Sequence, residues 1–553
     1  MLLAHSQSGR TVRHAIRPLL ISAVFAAALA AMPVIAVVWI ALSGGTENLQ
    51  HILQTVLPRA TLRTLALIGL TGFVSSLFGI VTAWLVTAFR FPLRRLLSIA
   101  LVLPLAIPSY IGAYTFVEFL DFTGPVQSFY RSLFGFHSAR DYWFPDIRSL
   151  GGAVLIMSSV LYPYVYLACR SSFLMQGRAA ADVARTLGSG PLRTMLRIQL
   201  PMARPAIVIG LTLVTMETLN DIGAVEYLGV NTLTFSIYDT WLNRGSLPGA
   251  AQLSLVLLAF VAVLIAIERL ARKRQRFSVN RTTALVNDQL RPKLKGLSGW
   301  LAALLCFIPV AIGFLLPFLM LLSYASRRLE LLSDPRLSKA LWHSITVSGT
   351  AALATVTLGF LLAYASRTEK RKLAGLTGRI ASLGYGMPGT VLAIGVLMPL
   401  ASFDNAFDAL MRSQFGISTG LLLSGTGFAI FYACTVRFLT MAEGTVEAGF
   451  QKLSPHLDMA ARTLGRSRAQ TLFGVLLPNM RPAILTAALF VFVESMKELS
   501  ATILLRPFNF NTLATLIYED ASRAQIENAS IASLIIVLVG LIPVIIVSRS
   551  LER

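Results

Sequence analysis

The sequence is poor in charged residues and in the groups that most enzymes use for catalysis. Only 13% of its 553 residues are charged, and it contains six histidines and three cysteines. The histidines show no paired spacing, and Cys169, Cys306 and Cys434 each lie in or near an apolar segment. Metal ligands usually come at short, regular spacings, so we expect no catalytic residue, no bound metal and no cofactor. We interpret the cysteines as small packing residues without a disulfide.

A nucleotide-binding loop is also missing. Such a loop follows the pattern G-x-x-x-x-G-K-[ST], and the sequence contains no Gly-Lys pair. The net charge of +22 is high, but no basic domain interleaved with aromatic residues is present to bind a nucleic acid. The chain by itself is therefore predicted neither to hydrolyse ATP nor to bind nucleic acid, and we do not expect an enzyme.

Long apolar runs dominate what is present. Hydrophobic residues make up 55% of the chain, and a helix that crosses a bilayer needs about 20 of them in sequence. The pattern predicts an all-α polytopic membrane protein with about twelve transmembrane helices, six in each half of the chain. In the first half they cover 19–42, 61–89, 97–119, 149–169, 204–228 and 250–268, and in the second 299–324, 341–365, 376–402, 419–437, 481–504 and 529–548. A signal peptide is the alternative for the first run, but that run is too long for one.

The distribution of charge predicts the topology. The six loops assigned to the outside carry no net charge together, whereas the linker from Arg269 to Lys295 has nine basic residues and one acid, Asp288. Basic loops favour the cytoplasmic side, so we place the linker and both termini in the cytoplasm. The predicted domains are a first half over 1–275, a cytoplasmic linker over 276–298 and a second half over 299–553.

One stretch of sequence occurs twice. Residues 182–207 and 459–484 share Ala-Arg-Thr-Leu-Gly and Arg-Pro-Ala-Ile, and Gly188 and Gly465 lie 277 residues apart. Each copy predicts a short helix, 182–187 or 459–464, which ends at its glycine. Pro201 and Pro478 fit the first turn of the helix that follows. The chain is therefore predicted to be a tandem repeat.

This duplicated stretch resembles the EAA loop of ABC-importer permeases. Both copies keep the family's Gly and Leu-Pro at the family spacing, but the acidic position holds Asp182 in the first copy and Met459 in the second. The resemblance implies that the loops 176–203 and 453–480 dock two copies of a separate ATPase. The residues it assigns to this coupling are Asp182, Ala184, Arg185, Gly188 and Pro201, with Met459, Ala461, Arg462, Gly465 and Pro478 in the second copy.

Ionisable residues also occur at membrane depth in the fifth and eleventh predicted helices. They form two trios at equivalent places, namely Glu217, Asn220 and Asp221 in one helix and Glu494, Lys497 and Glu498 in the other. Such residues are costly in a bilayer and usually face a cavity or a partner. The spacing i, i+3, i+4 predicts that each trio occupies one helix face. We interpret them as lining an outer gate of a translocation pathway. The alternative is an ion pair that locks helices together, such as Lys497 with Glu494 or Glu217.

The sequence that begins with the first trio, Glu217-Thr-Leu-Asn-Asp-Ile-Gly-Ala-Val-Glu-Tyr-Leu-Gly-Val-Asn-Thr-Leu-Thr, resembles the first-half signature of fused ferric-iron-uptake permeases, and Lys497-Glu-Leu-Ser-Ala-Thr resembles its second-half partner. The resemblance implies a permease of the bacterial inner membrane that receives ferric iron from a periplasmic substrate-binding protein. Fused permeases for thiamine, phosphonate or polyamine remain alternatives, as does an ion-coupled secondary transporter.

The two halves match elsewhere too. Ile107-Pro108 pairs with Met387-Pro388, and Asn231-Thr232-Leu233 followed by Tyr238-Asp239 pairs with Asn511-Thr512-Leu513 followed by Tyr518-Glu519. Because six helices return the chain to its starting side, the repeats are parallel. Their predicted relation is a pseudo-twofold axis along the membrane normal. This axis would place Glu217 and Glu494 on opposite walls of one pathway.

Overall fold

The computed structural model describes residues 17–45, 50, 52–176, 183, 184, 186, 188–273, 291–368, 377, 378, 380, 381, 384–454 and 456–550. Within them all regular structure is helical, apart from one isolated bridge between Arg90 and Lys293. The predicted all-α fold is confirmed. Most of the predicted linker, 274–290, lies outside the described residues, as do Asp182 and Arg185.

The helices follow one another along the chain with short connections. The first half forms α1 (Arg17–Ser43), α2 (Leu57–Ala88), α3 (Arg94–Ala100), α4 (Ser109–Leu120), α5 (Pro125–Phe134), α6 (Leu150–Met175), α7 (Pro191–Thr194), α8 (Leu200–Asn220), α9 (Ile222–Tyr227), α10 (Leu233–Leu242) and α11 (Leu247–Lys273). The second half forms α12 (Leu297–Val310), α13 (Leu316–Arg327), α14 (Pro335–Thr368), α15 (Gly389–Phe415), α16 (Phe428–Lys452), α17 (His456–Thr463), α18 (Arg468–Thr471), α19 (Leu477–Lys497), α20 (Thr502–Leu505), α21 (Leu513–Ser522) and α22 (Ile526–Ser550). Short π-helical turns lie at Ile52–Val56, Met195–Gln199, Ala311–Leu315 and Leu472–Leu476, and 3₁₀ turns lie at Leu103–Ala106, Leu329–Ser333 and Gly384–Gly386.

The number of candidate membrane spans is close to the predicted twelve. Among the described residues, ten helical stretches are long and apolar enough to cross a bilayer, and one bent pair would make eleven. The tenth predicted span, 419–437, corresponds only in part to α16, which is not among them. That helix carries Arg437, Glu443, Glu447 and Lys452, and these charges lower its hydropathy.

The third predicted helix, 97–119, is not continuous. The chain bends by 95° between Arg94–Ala106 and Ser109–Phe134. Ile107 is extended, with φ −96° and ψ 114°, because the residue before a proline avoids the helical region. In the second half α15 likewise begins only after Pro388, so the matched Ile-Pro and Met-Pro pairs mark one structural feature in both repeats.

The duplicated stretches share a second local feature. A π-helical turn, Met195–Gln199 or Leu472–Leu476, comes immediately before Leu200-Pro201 or Leu477-Pro478. Proline lacks the N–H that would bond to the preceding turn, and such a gap in the ladder suits a wider turn. The prolines occupy the first positions of α8 and α19, as predicted.

The chain forms two compact units, and each unit draws residues from both halves of the sequence. One comprises Met1–Gly45 and Ser338–Thr515, and the other comprises Thr46–Leu337 and Leu516–Arg553. The predicted boundaries near residues 275 and 299 divide the repeat in sequence and stay a prediction.

Small residues at the helix contacts hold each unit together. In the second unit α2 and α8 approach α6 so closely that a Cβ on Gly79 or Gly210 would lie 2.7 Å from atoms of Val165. In the first unit α1 meets α15, where a Cβ on Gly395 would lie 2.3 Å from the carbonyl oxygen of Pro33. Lipid tails are as apolar as the side chains, so close backbone approach replaces the hydrophobic effect as the source of affinity between helices.

Candidate coupling loops and polar helix breaks

The second copy of the duplicated stretch forms a short helix that is fastened at its start. Asp458 lies in the first turn of α17 and forms an ion pair with Arg367 at the end of α14, with 3.1 Å between Oδ2 and Nε. Arg367 also donates a hydrogen bond of 2.9 Å to the carbonyl oxygen of Phe450 at the end of α16. One guanidinium group therefore joins three helices at the loop.

Both glycines end their helices as the sequence predicts. Gly188 has φ +77° and Gly465 has φ +79°, a left-handed conformation that costs other residues about 1–2 kcal/mol. The amide of Arg466 donates to the carbonyl of Ala461 at 3.1 Å, and the amide of Ser189 donates to that of Ala184 at 2.9 Å. This is the bond that closes a helix C-terminus across a left-handed residue.

The two loops also expose similar surfaces. Ala184 and Ala461 are buried, whereas Val183, Met459 and Leu464 are 58%, 61% and 82% exposed. Arg462 is exposed as well. Exposed apolar side chains beside basic ones are typical of a surface that binds a partner protein, which agrees with the coupling role that the resemblance assigns to these loops.

The polar trios lie at breaks in their helices, which corrects the prediction that each trio occupies one helix face. Helix α8 ends at Asn220, and Asp221 is extended with ψ 96°. The carboxylate of Asp221 accepts a hydrogen bond of 2.9 Å from the amide of Ala224 and so caps α9. It also accepts a hydrogen bond from the hydroxyl of Ser109 at the start of α4. A side chain that caps the next helix has left the preceding one, and sequence spacing does not reveal this.

The second break has the same form and a different partner. Helix α19 ends at Lys497, and Glu498 is extended with ψ 118°. Its carboxylate accepts hydrogen bonds from the amides of Ala501 and Thr502 at 2.8 and 3.0 Å. It also forms a buried ion pair with Arg437, with 2.8 Å between Oε1 and Nη1. Asp221 and Glu498 thus fix the helix breaks.

The remaining members of the trios are half-buried. Lys497 forms an ion pair with Glu494, with 2.8 Å between Nζ and Oε1, which is one of the two pairs that the helix-locking interpretation names. Glu217 and Asn220 hold the equivalent places in the other repeat. The assignment of these side chains to a translocation pathway, and the placement of Glu217 opposite Glu494, stay predictions.

Sequence reasoning missed one group of functional candidates. Tyr518 donates a hydrogen bond to the carboxylate of Glu226, with 2.9 Å to each oxygen, and the hydroxyls of Tyr518 and Tyr238 are 3.5 Å apart. Burial raises the pKa of the Glu226 carboxyl, which lies outside the helices of spanning length. The repeat match of Tyr238 with Tyr518 was the available signal, but it did not show that the two residues meet.

Comparison with known proteins follows the repeat. Residues 75–277 and 355–553 each match the family described as "Binding-protein-dependent transport system inner membrane component". The chain is 27% identical to the Fe(3+)-transport system permease protein FbpB 2 of Haemophilus influenzae, over 85% of this chain and 86% of that protein. It is 24% identical to the putative ferric transport system permease protein FbpB 1 of the same organism, over 82% and 71%. A match at 29% identity to the Escherichia coli molybdenum transport system permease protein ModB covers 39% of this chain and 95% of that protein.

Proposed function

Because the chain belongs to the family of binding-protein-dependent transport system inner membrane components, we propose that it is the permease of an ABC importer that carries ferric iron across a bacterial inner membrane. One chain supplies both transmembrane halves. A periplasmic binding protein delivers the ion to the outer face, and two copies of a separate ATPase dock on the loops 176–203 and 453–480. The ferric cargo is proposed because the relatives that match most of this chain are named as ferric transport permeases.

The observation that carries the coupling role is the pair of loops with one geometry. Each buries an alanine, ends at a left-handed glycine and exposes apolar side chains next to it. ATP binding closes the ATPase dimer and moves the two loops together, and the attached helices transmit this motion as a rigid-body rocking of the repeats. Arg367 serves this transmission in the second repeat, because it holds the start of α17 to the ends of α14 and α16.

Reconstitution tests the proposal. The purified chain is placed in proteoliposomes with the ATPase and the binding protein encoded beside it, and uptake of ferric iron, molybdate and sulfate is measured with and without ATP. We expect ATP-dependent uptake of iron alone. Uptake of an oxyanion in place of iron would overturn the cargo, and uptake driven by an ion gradient without the ATPase would overturn the transporter class.

A further inference from the structure

Three oxygen-bearing side chains converge in the second compact unit. Glu226 ends α9 together with Tyr227, Tyr238 lies in the middle of α10, and Tyr518 lies in α21. The hydroxyl of Tyr518 is 2.9 Å from both carboxylate oxygens of Glu226 and 3.5 Å from the hydroxyl of Tyr238. All three residues are half-buried, so the cluster is reachable from solvent.

The two tyrosines are equivalent in the repeat. They are 280 residues apart, and each follows an Asn-Thr-Leu sequence at the same distance. A residue and its repeat equivalent meet only close to the axis that relates the repeats. The predicted pathway follows that axis, so the contact between these hydroxyls places the cluster on it.

The cluster is rich in oxygen and poor in positive charge. No Lys or Arg of the described residues forms an ion pair with Glu226, and its hydrogen-bond partner there is Tyr518. The ring of Tyr114, whose hydroxyl is buried, packs against that of Tyr227 with 4.6 Å between centroids. Its neighbours in electrostatic contact include Tyr518 and Glu226. A half-buried carboxylate beside phenols is stabilised by a bound cation more than by water alone.

Hard cations prefer such oxygens. Carboxylates suit hard metal ions, and tyrosinate is a known ligand of ferric iron in proteins. An octahedron with metal–oxygen distances of about 2.0–2.1 Å has neighbouring oxygens about 2.8–3.0 Å apart. The distances within the cluster are already near this value, so a small ion needs little movement of the side chains to bind.

The geometry points to a transient ferric-ion station formed by Glu226, Tyr238 and Tyr518, and this inference rests on the proposed function. Each phenol loses its proton to water as its oxygen binds the ion, and no electron is transferred. The carboxylate and two phenolates together balance the charge of Fe³⁺. Three ligands leave the remaining coordination positions open to water, which suits an ion that must leave again.

A structural role for the same hydrogen bond is the competing explanation. Tyr518 could simply tie α21 to α9 through Glu226. The two roles differ in one observable property, because a tyrosinate bound to ferric iron absorbs visible light through charge transfer, whereas a hydrogen bond alone does not.

The test uses the purified full chain in detergent and ferric nitrilotriacetate as the probe. We expect a visible charge-transfer band in the unaltered protein. The band should be lost in Tyr238→Phe with Tyr518→Phe, and iron affinity should fall at least about tenfold in Glu226→Gln. Tyr130→Phe is the matched control, because Tyr130 packs against Phe134 and Tyr142 in a separate aromatic group and its loss should leave the band unchanged.

Uptake measurements on the same variants separate this inference from the proposed function. ATP-dependent iron uptake by the unaltered protein without a band, or a band that survives in the double tyrosine variant, overturns the station and leaves the permease function intact. A band that depends on both tyrosines in a protein that imports no iron supports the station and overturns the proposed cargo.

Discussion

The ion pair between Arg437 and Glu498 gives the most specific prediction about stability. The side chain of Glu498 is 2% exposed and that of Arg437 is 12% exposed. Replacing Arg437 with Met keeps an unbranched side chain of similar length and removes the charge. Glu498 then retains its hydrogen bonds from Ala501 and Thr502 but has lost its cation.

The expected cost follows from this burial. Removing one partner of a buried ion pair costs about 3–5 kcal/mol, because the other charge stays buried without compensation. Glu498→Gln in the unaltered background should cost a similar amount for the same reason. The double variant leaves no unpaired charge, and glutamine can still accept from the two amides. We therefore expect it to lose less than either single variant, about 1–3 kcal/mol.

The free energy of unfolding is measured by titration with sodium dodecyl sulfate in mixed micelles, with helical circular dichroism as the signal. Arg412→Met is the matched control in the same compact unit. Arg412 pairs with Asp408 at 2.7 Å but is 61% exposed, so its loss should cost less than about 1 kcal/mol. A double variant whose loss equals the sum of the two singles would refute the reasoning.

Four further predictions concern the loops, the breaks and the topology. Gly188→Val with Gly465→Val should weaken ATPase binding in a pull-down, because valine disfavours the positive φ, whereas Gly190→Ser in the same loop, where φ is −65° and space is open, should not; undiminished binding and transport would refute the coupling role. Glu217→Gln with Glu494→Gln should reduce iron uptake without loss of expression or ATPase binding, and unchanged uptake would favour helix locking. Gly389→Ala should lower the free energy of unfolding by about 1–3 kcal/mol, since its Cβ would lie 2.6 Å from that of Ser500 and 2.8 Å from the amide of Ala501; an unchanged value would contradict this. A cysteine in place of Ser278 should react only with membrane-permeant reagents, and reaction with an impermeant reagent from outside would overturn the topology.

The helical spans and the duplicated loops could be predicted from the sequence because their causes are local. Apolar runs of spanning length have few alternatives in a bilayer, and the number of helices found is close to that predicted. Gly188 and Gly465 end their helices as expected, since the left-handed conformation there depends on the residue itself. The proline pairs marked a break in both repeats, although the bend of 95° was not foreseen.

The helix breaks at Asp221 and Glu498 depended on tertiary structure. Each carboxylate caps a helix a few residues later, but its other partner is remote in sequence, Ser109 for Asp221 and Arg437 for Glu498. Helical spacing assigned both to a helix face because it carries no information on such partners. Gly389 stands where the first half has Ser109, and the missing side chain leaves the space that Arg437 fills.

The meeting of Tyr238 with Tyr518 shows the same limit over a longer distance. The repeat identified the two residues as equivalents, and only the folded chain brought their hydroxyls to 3.5 Å across 280 residues. Sequence determined which segments form helices, because helix formation depends on neighbours within a few residues. Tertiary structure decided which polar groups share a site, because that depends on how distant helices pack.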